Sequence, residues 1–161
     1  MSATPDTQTY PLGFLDLCLN PETGHAVGGL AVTDNTGFPL EFHITTAVKP
    51  TLAQRALYGR RLESFVAVDL CATELLKQIK TPLRAVLIRN PVFFGAGKLT
   101  PLPILQLEKQ AQGPALKPHP DHPDHARLLD PASLNLDMVE VFSRIEQCRA
   151  ALARDNDSYA I

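Results

Sequence analysis

The stretch GFLDLCLNPETGHAVGGLAVTDNTGFPLEFHITT, Gly13 to Thr46, contains three segments in which apolar residues alternate with other residues. Alternation with a period of two is typical of strands that bury one face. Turn-forming residues separate the segments, at Asn20 to Gly24 and at Asp34 to Gly37. The stretch therefore predicts three consecutive antiparallel strands, with Phe14 and Leu15 on opposite faces of the first.

The second predicted strand contains the pair Gly28 and Gly29. Glycine weakens a strand interior because it adds conformational freedom and offers no side chain to pack. The pair therefore predicts a bulge or a place where another part of the chain comes close to the backbone.

A long helical region follows the three strands. Thr51 and Gln54 form a T-x-x-Q capping box, which predicts the start of a helix at this point. Helical apolar spacing continues to about Ile79, but the apolar stripe changes direction near Gly59. A kink or a break at Gly59 would allow both stripes to reach one core.

The remaining chain predicts two more strands and a final helix. The apolar run AVLI within Arg84 to Phe94 is typical of a strand in the middle of a sheet. Ile104 to Leu107 predicts a last short strand, and Asp137 with Glu140 predicts the start of the closing helix.

The order β-β-β-α-β-(β)-α predicts an α/β fold with a five-stranded mixed sheet covered by helices. Over residues 13–94 this topology resembles the ribonuclease H-like fold. The length of 161 residues fits one domain over residues 1–161. Within it, residues 1–11 are expected to be a flexible tail, and the Pro- and His-rich residues 111–133 an extended surface segment.

A second resemblance concerns the run GGLAVTDNTGFPLEFHITTAVKPTLAQRALYGRRLE, Gly28 to Glu63. It resembles a family of uncharacterised bacterial proteins. That resemblance implies no particular activity.

The composition argues against a membrane or a secreted protein. The formal net charge is -2, so no global field would attract the chain to nucleic acid or to an anionic membrane. The polar first ten residues lack the pattern of a secretory signal, and no apolar run is long enough to span a bilayer. Three scattered cysteines predict reduced, buried thiols, and hence a cytoplasmic location.

The ribonuclease H-like resemblance implies a test for nuclease chemistry. Nucleases of that class hold two divalent metal ions with carboxylates from the first strand, the first helix and the end of the fourth strand. Asp16 matches the first position, and Glu63 or Asp69 the second. The predicted fourth strand ends in IRN, where Arg89 places a cation at the third. The sequence therefore predicts no catalytic residues, with Asp16, Glu63 and Asp69 as the alternative.

The run PHPDHPDH, residues 118–125, places His119, His122 and His125 at three-residue steps. Imidazole and carboxylate groups suit Zn, Ni or Cu. Prolines spread through a loop are not expected to hold these ligands in a rigid arrangement. The sequence therefore predicts no cofactor, with a divalent metal on the three histidines as the alternative.

A basic surface completes the candidates. It could bind phosphate, a nucleic-acid base or an acidic protein, and beside it two apolar residues fall outside the main helical stripe. The predicted partner-binding residues are Arg55, Tyr58, Arg60, Arg61, Val66 and Leu70. They favour a non-catalytic interaction subunit or adaptor of a bacterial multiprotein complex, which binds a protein partner or a second copy of itself. The alternative is a ribonuclease H-like domain that binds nucleic acid or cleaves it with metal ions.

Overall fold

The computed structural model describes residues 9–20, 23–110, 113–131, 134 and 136–159. Its strands form one six-stranded sheet in the order β3-β2-β1-β4-β5-β6. The strands are β1 (Pro11–Leu19), β2 (Ala26–Asp34), β3 (Pro39–Ile44), β4 (Ala85–Ile88), β5 (Ile104–Gln110) and β6 (Gly113–Pro118).

The described residues include four α-helices, together with wider and tighter helical segments. The α-helices are α1 (Leu52–Tyr58), α2 (Leu62–Ser64), α3 (Thr73–Gln78) and α4 (Met138–Tyr159). A π-helix, Phe65–Ala72, connects α2 to α3, and 3₁₀ helices span Gly59–Arg61, Pro91–Lys98 and Pro123–Arg127.

The sheet is mixed, as the sequence predicts. β1 is antiparallel to β2 and parallel to β4, β4 is parallel to β5, and β5 is antiparallel to β6. This topology confirms the predicted α/β fold with ribonuclease H-like strand order, and it places β4 in the middle of the sheet.

The sheet has six strands and not five, because β6 lies inside the segment predicted as extended, 111–133. Among the described strands β6 pairs with β5 alone, and so it forms an edge of the sheet. Proline is tolerated in an edge strand, since one side of the strand needs no hydrogen-bond donors. Apolar periodicity is therefore a weak predictor of an edge strand such as β6.

Helices cover both faces of the sheet. Leu15 packs in a core with Ala67 and Leu75 from the π-helix and α3. On the opposite face Phe14 packs against Phe142 of α4, with ring centroids 5.4 Å apart and an interplanar angle of 80°. The alternation read in β1 is therefore confirmed, and β1 contributes to two separate cores.

The two adjacent glycines of β2 let these helices come close to the sheet. A Cβ atom at Gly28 would lie 2.6 Å from Cys71 Cβ in the π-helix. A Cβ atom at Gly29 would lie 2.5 Å from Ile145 Cγ2 in α4. The glycine pair therefore marks a close backbone approach on each face.

The helical region begins and breaks where the sequence predicts. Thr51 Oγ1 accepts from the Gln54 N–H, and Gln54 Oε1 accepts from the Thr51 N–H. Gly59 has φ +50°, a conformation that favours glycine, and α1 ends there. The stripe of α1 does not reach the core, because Leu52 and Leu57 remain 85% and 80% exposed.

The length of the predicted tail and the burial of the thiols both differ from the predictions. β1 already begins at Pro11, while residues 1–8 of the predicted tail lie outside the described residues. Cys71 is buried, Cys18 is partly buried and Cys148 is exposed, so the prediction of three buried thiols is wrong for Cys148.

No described helix has the length and apolarity needed to cross a membrane.

Glu41 of β3 fastens the loop that leads into β4. Its carboxylate accepts hydrogen bonds from the N–H groups of Lys80 and Thr81, at 3.2 Å and 2.8 Å, and from His43 Nε2 at 2.8 Å. The hydrogen bonds from Thr81 and His43 lower the pKa of Glu41 from its ordinary 4.5 to about 2.

We expect Glu41 to make the protein sensitive to acid. Because its pKa is lower in the folded than in the unfolded chain, its contribution to stability is present above pH 4.5 and is lost as the pH falls towards 2. Glu41→Gln should therefore flatten the fall in unfolding free energy over this range, as measured by urea denaturation. Glu74→Gln, on the exposed side of α3, removes the same charge and serves as the control. Equal acid sensitivity of wild type and Glu41→Gln would contradict the assignment.

Candidate functional site

An ion pair joins β1 to the end of β4 on the face covered by α4. Leu15 of β1 pairs with Ile88, the last residue of β4, in parallel register. The next residues, Asp16 and Arg89, therefore meet where β4 ends. Arg89 Nη2 donates a hydrogen bond to Asp16 Oδ2. The cation expected from the sequence thus lies directly against the carboxylate.

Asp16 lies deep in this site, with 4% of its surface exposed. Burial raises the pKa of its carboxyl group, since the ionised form loses its water. The hydrogen bond and charge of Arg89 act in the opposite direction and offset only part of this effect. Ionised Asp16 therefore opposes folding as the pH rises through its pKa, and it depends on Arg89 for compensation.

Arg89 connects the buried carboxylate to the surface. Its side chain is 45% exposed, and its guanidinium carbon lies 5.1 Å from the centroid of the Phe142 ring. A guanidinium group carries five N–H donors in a planar fork. With one amino group on Asp16, the remaining donors can bind a second anion from solvent.

A second cluster lies beside the first and combines β1 with α4. Arg149 Nε donates to Glu146 Oε1 at 3.2 Å, and this hydrogen bond lowers the pKa of Glu146. Burial, together with the neighbouring Glu146, raises the pKa of the Cys18 thiol to about 12. Cys18 is therefore a neutral thiol, which is a poor nucleophile and a poor metal ligand.

Two clefts flank the end of β1, and each contains an arginine. A cleft of about 600 Å³ on the α4 side is lined by Asn20, His25 and Arg149, among others. A cleft of about 310 Å³ on the α1 side is lined by Asn20 and Arg55. We call the surface formed by these clefts and the end of β4 the carboxyl edge. A larger cleft of about 710 Å³ lies between β2, β3 and α4 and is mainly apolar, and neither Asp16 nor Arg89 lines it.

The other two candidate carboxylates do not join Asp16. Glu63 is exposed and lines the cleft on the α1 side. Asp69 is exposed in the π-helix, where Lys98 Nζ donates to it at 3.1 Å. Both belong to the helical layer that packs on the Leu15 side of the sheet, whereas Asp16 points to the α4 side. The sheet therefore separates these carboxylates from Asp16.

The predicted partner-binding residues divide into two groups. Arg55, Arg60 and Arg61 are exposed. Tyr58 stacks on Phe65, with ring centroids 4.0 Å apart and an interplanar angle of 11°, so one face of its ring is already covered.

Val66 does not belong to an open docking face. It is 5% exposed and packs with Ala26 and Cys71, and Leu70 is half-buried. The error comes from assuming an α-helix, because residues 65–72 form a π-helix in which the Thr73 N–H bonds to the Val68 carbonyl, five residues earlier. The wider turn rotates Val66 into the core.

The histidine-rich segment gathers a different ligand set from the predicted one. His122, Asp124 and His125 lie close together, whereas His119 bonds to the backbone carbonyl of Phe94. His122 and His125 belong to both ligand sets, whereas Asp124 takes the place of the predicted His119.

Sequence reasoning missed Glu146 and Arg149. Helical spacing identified Phe142 and Ile145 as core residues of α4, and both are buried. Positions 146 and 149 flank that stripe in the middle of α4, where Glu146 lies beside Cys18 of β1. The helical spacing places both residues beside the apolar stripe of α4, but it does not predict which side of the sheet α4 covers.

The chain was compared with known proteins. It matches no family profile and no curated protein. Among solved structures it is similar to endonuclease V from Ciona intestinalis in complex with a 23mer DNA containing an inosine followed by a ribo-adenosine, with 16% identity, a TM-score of 0.43, and coverage of 90% of this chain and 57% of that one. It is also similar to endonuclease V from Bacillus subtilis, with 14% identity, a TM-score of 0.45, and coverage of 68% and 48%. Argonaute from Marinitoga piezophila in complex with guide RNA gives 15% identity, a TM-score of 0.33, and coverage of 61% and 15%.

These similarities concern the fold. The chain spans about half the length of the endonuclease V structures that it matches. The resemblance of residues 28–63 to a bacterial family stays a prediction.

The hypothesis of a non-catalytic interaction subunit is wrong. The solved structures named above are endonuclease V structures and an Argonaute, not adaptors or accessory subunits. The docking face on which the hypothesis depended is also closed, because Val66 is buried.

Proposed function

We propose that the chain is a nucleic-acid-binding domain of ribonuclease H-like topology that contacts phosphates along its carboxyl edge. One observation carries this proposal: arginines from three separate elements meet this edge. Arg55 comes from α1, Arg89 follows β4 and Arg149 comes from α4. In open sheets with parallel strands, ligands bind at the carboxyl ends of those strands.

Arginine suits this role because its planar fork can bind phosphate through two hydrogen bonds. The formal charge of -2 means that attraction must come from a local surface. Arg60 and Arg61 are exposed and lie in the chain between Arg55 and Leu62, which both line the cleft on the α1 side, so the proposal includes their charges in the binding surface. A backbone or a single strand crossing the end of β1 would meet arginines on both sides.

The geometry supports binding rather than cleavage by two metal ions. Asp16 is held by Arg89, and Glu63 and Asp69 lie on the other side of the sheet. Among the described residues no group of three carboxylate, His or Cys ligands gathers around Asp16. A two-metal centre needs converging oxygen ligands, and here the place of one is taken by a guanidinium.

The test is fluorescence anisotropy with labelled single-stranded and duplex DNA, single-stranded RNA and an RNA–DNA hybrid. A duplex that contains inosine is included, because an endonuclease V of similar fold was solved with such a DNA. We expect affinity to fall as salt rises. For duplex DNA, Arg60→Ala/Arg61→Ala should lower the slope of log affinity against log salt by about 2, since each lost phosphate contact removes about one counterion.

Lys77→Ala/Lys80→Ala provides the matched control. It also removes two positive charges, but both lysines lie near the end of α3, where the chain enters the amino end of β4. This variant should bind like the wild type. Equal losses in the two double variants would contradict binding at the carboxyl edge, as would the absence of binding to every probe.

The same samples, incubated with Mg²⁺ or Mn²⁺, test for cleavage. Cleavage by the wild type that Asp16→Asn abolishes would replace binding with catalysis as the function of this edge.

A further inference from the structure

The segment after β6 is a series of tight turns rather than the irregular loop expected from its prolines. His122 N–H bonds to the His119 carbonyl at 2.9 Å, and His125 N–H bonds to the His122 carbonyl at 3.0 Å. The 3₁₀ helix Pro123–Arg127 continues this pattern. Three residues make one turn of a 3₁₀ helix, so side chains three apart in sequence lie above one another.

This geometry brings three metal-binding side chains together. The rings of His122 and His125 stack, with centroids 4.6 Å apart and an interplanar angle of 12°. His122, Asp124 and His125 each offer a ligand atom, and these atoms lie within 4.8 Å of one another. Stacking of the two imidazole rings does not by itself explain why the Asp124 carboxylate also lies within 4.8 Å of their ligand atoms.

His119 supports the group without joining it. Its Nε2 bonds to the Phe94 carbonyl at 2.9 Å, and its Nδ1 accepts from the Asp121 N–H at 3.0 Å. Gly97 leaves room for this ring, since a Cβ atom there would lie 3.0 Å from His119 Nε2. Both ring nitrogens are therefore occupied, and His119 anchors the turns to the helix that follows β4.

His125 has an unsatisfied atom within this arrangement. Its Nδ1 is buried and has no hydrogen-bond partner among the described residues. A buried polar atom without a partner destabilises the fold, and such atoms in proteins mark a missing water, ion or function. A bound metal ion, together with the water that it carries, would give His125 Nδ1 a partner that the described residues do not provide.

We propose that His122, Asp124 and His125 bind one Zn²⁺ ion, with solvent as the fourth ligand. Two imidazoles and one carboxylate are ligands that Zn²⁺ accepts in tetrahedral sites. At a Zn–N distance of about 2.0–2.1 Å the ligand atoms must be about 3.4 Å apart. The exposed His122 and Asp124 side chains therefore move towards His125, and the His122 ring turns out of its parallel stack to point its nitrogen at the ion. The ion fixes the turns against the edge strand β6.

Isothermal titration calorimetry with ZnCl₂ tests this proposal on the full chain, after any affinity tag has been cleaved. We expect one Zn²⁺ per chain. His122→Ala and Asp124→Asn should each weaken binding at least tenfold, and His122→Cys, which keeps a ligand, should retain it. Zn²⁺ should also raise the Tm of the wild type but not that of His122→Ala, because only an ion bound to the folded state stabilises it.

His25→Ala is the control, because His25 lies in the cleft beside Arg149 and directly precedes β2, which three strands separate from β6 in the sheet. It should leave Zn²⁺ affinity unchanged. Circular dichroism confirms that each variant folds, which is expected since His122 and Asp124 are exposed. Wild-type affinity in His122→Ala, or less than one Zn²⁺ per wild-type chain at saturation, would overturn the proposal.

Discussion

Gly28→Ala is expected to lower the free energy of unfolding by about 3 kcal/mol, because the added methyl group would meet the backbone-attached carbon of Cys71. The separation would be 2.6 Å, and Cys71 Cβ cannot move unless the π-helix moves with it. For a domain of this size the loss corresponds to a fall in Tm of roughly 6–12 °C. Thermal and urea denaturation measure it.

Gly29→Ala provides a comparison that separates two kinds of crowding. There the new methyl group would meet Ile145 Cγ2, the end of a side chain, at 2.5 Å. Ile145→Ala should relieve that clash, so the two changes should couple by more than about 1 kcal/mol. Cys71→Ala keeps the Cβ atom and should not relieve Gly28→Ala. Recovery of stability in Gly28→Ala/Cys71→Ala would show that the helix does not limit the space.

Arg89→Met is expected to lower the free energy of unfolding at pH 7 by about 2–3 kcal/mol, since it leaves the buried carboxylate of Asp16 without its partner. Methionine keeps most of the apolar stem, so the change removes chiefly the guanidinium group. The loss should shrink as the pH falls. Burial already raises the pKa of Asp16, and without Arg89 the carboxyl group protonates more readily still.

Two further variants check the origin of that loss. Arg89→Met should cost much less in the Asp16→Asn background, where no buried charge is left behind. Lys98→Met removes the partner of the exposed Asp69 and should change stability by less than about 1 kcal/mol. A deficit in Arg89→Met that is the same at every pH would contradict an electrostatic origin and would point to lost packing on Phe142.

Much of the fold could be predicted from the sequence because local patterns agree with the tertiary structure. The alternation in β1, the apolar run of β4 and the Thr51 capping box all reflect contacts that the residues make. The π-helix could not be predicted, since a helical wheel assumes 3.6 residues per turn and so placed Val66 on the wrong side. β6 was missed because an edge strand pairs on one side only and tolerates proline.

The site could be predicted only where neighbouring strands define it. The contact between Asp16 and Arg89 follows directly from the parallel pairing of β1 with β4. The order of elements therefore predicts that the Arg89 cation lies beside the Asp16 carboxylate. Predicting the roles of Glu146 and Arg149 would need the orientation of α4, which depends on how Ile145 fits over Gly29. Predicting Asp124 as a ligand would need the 3₁₀ geometry of a segment whose composition indicates a loop.

The three thiols differ enough in environment to make the natural chain suitable for site-specific labelling. Cys71 is buried, and the pKa of Cys18 is raised to about 12, so neither presents a reactive thiolate at neutral pH. Cys148 is exposed on α4, two residues beyond Glu146. A maleimide fluorophore added to the unaltered protein should therefore attach at Cys148, which directly precedes Arg149 of the carboxyl edge, and report on ligand binding without any engineered cysteine.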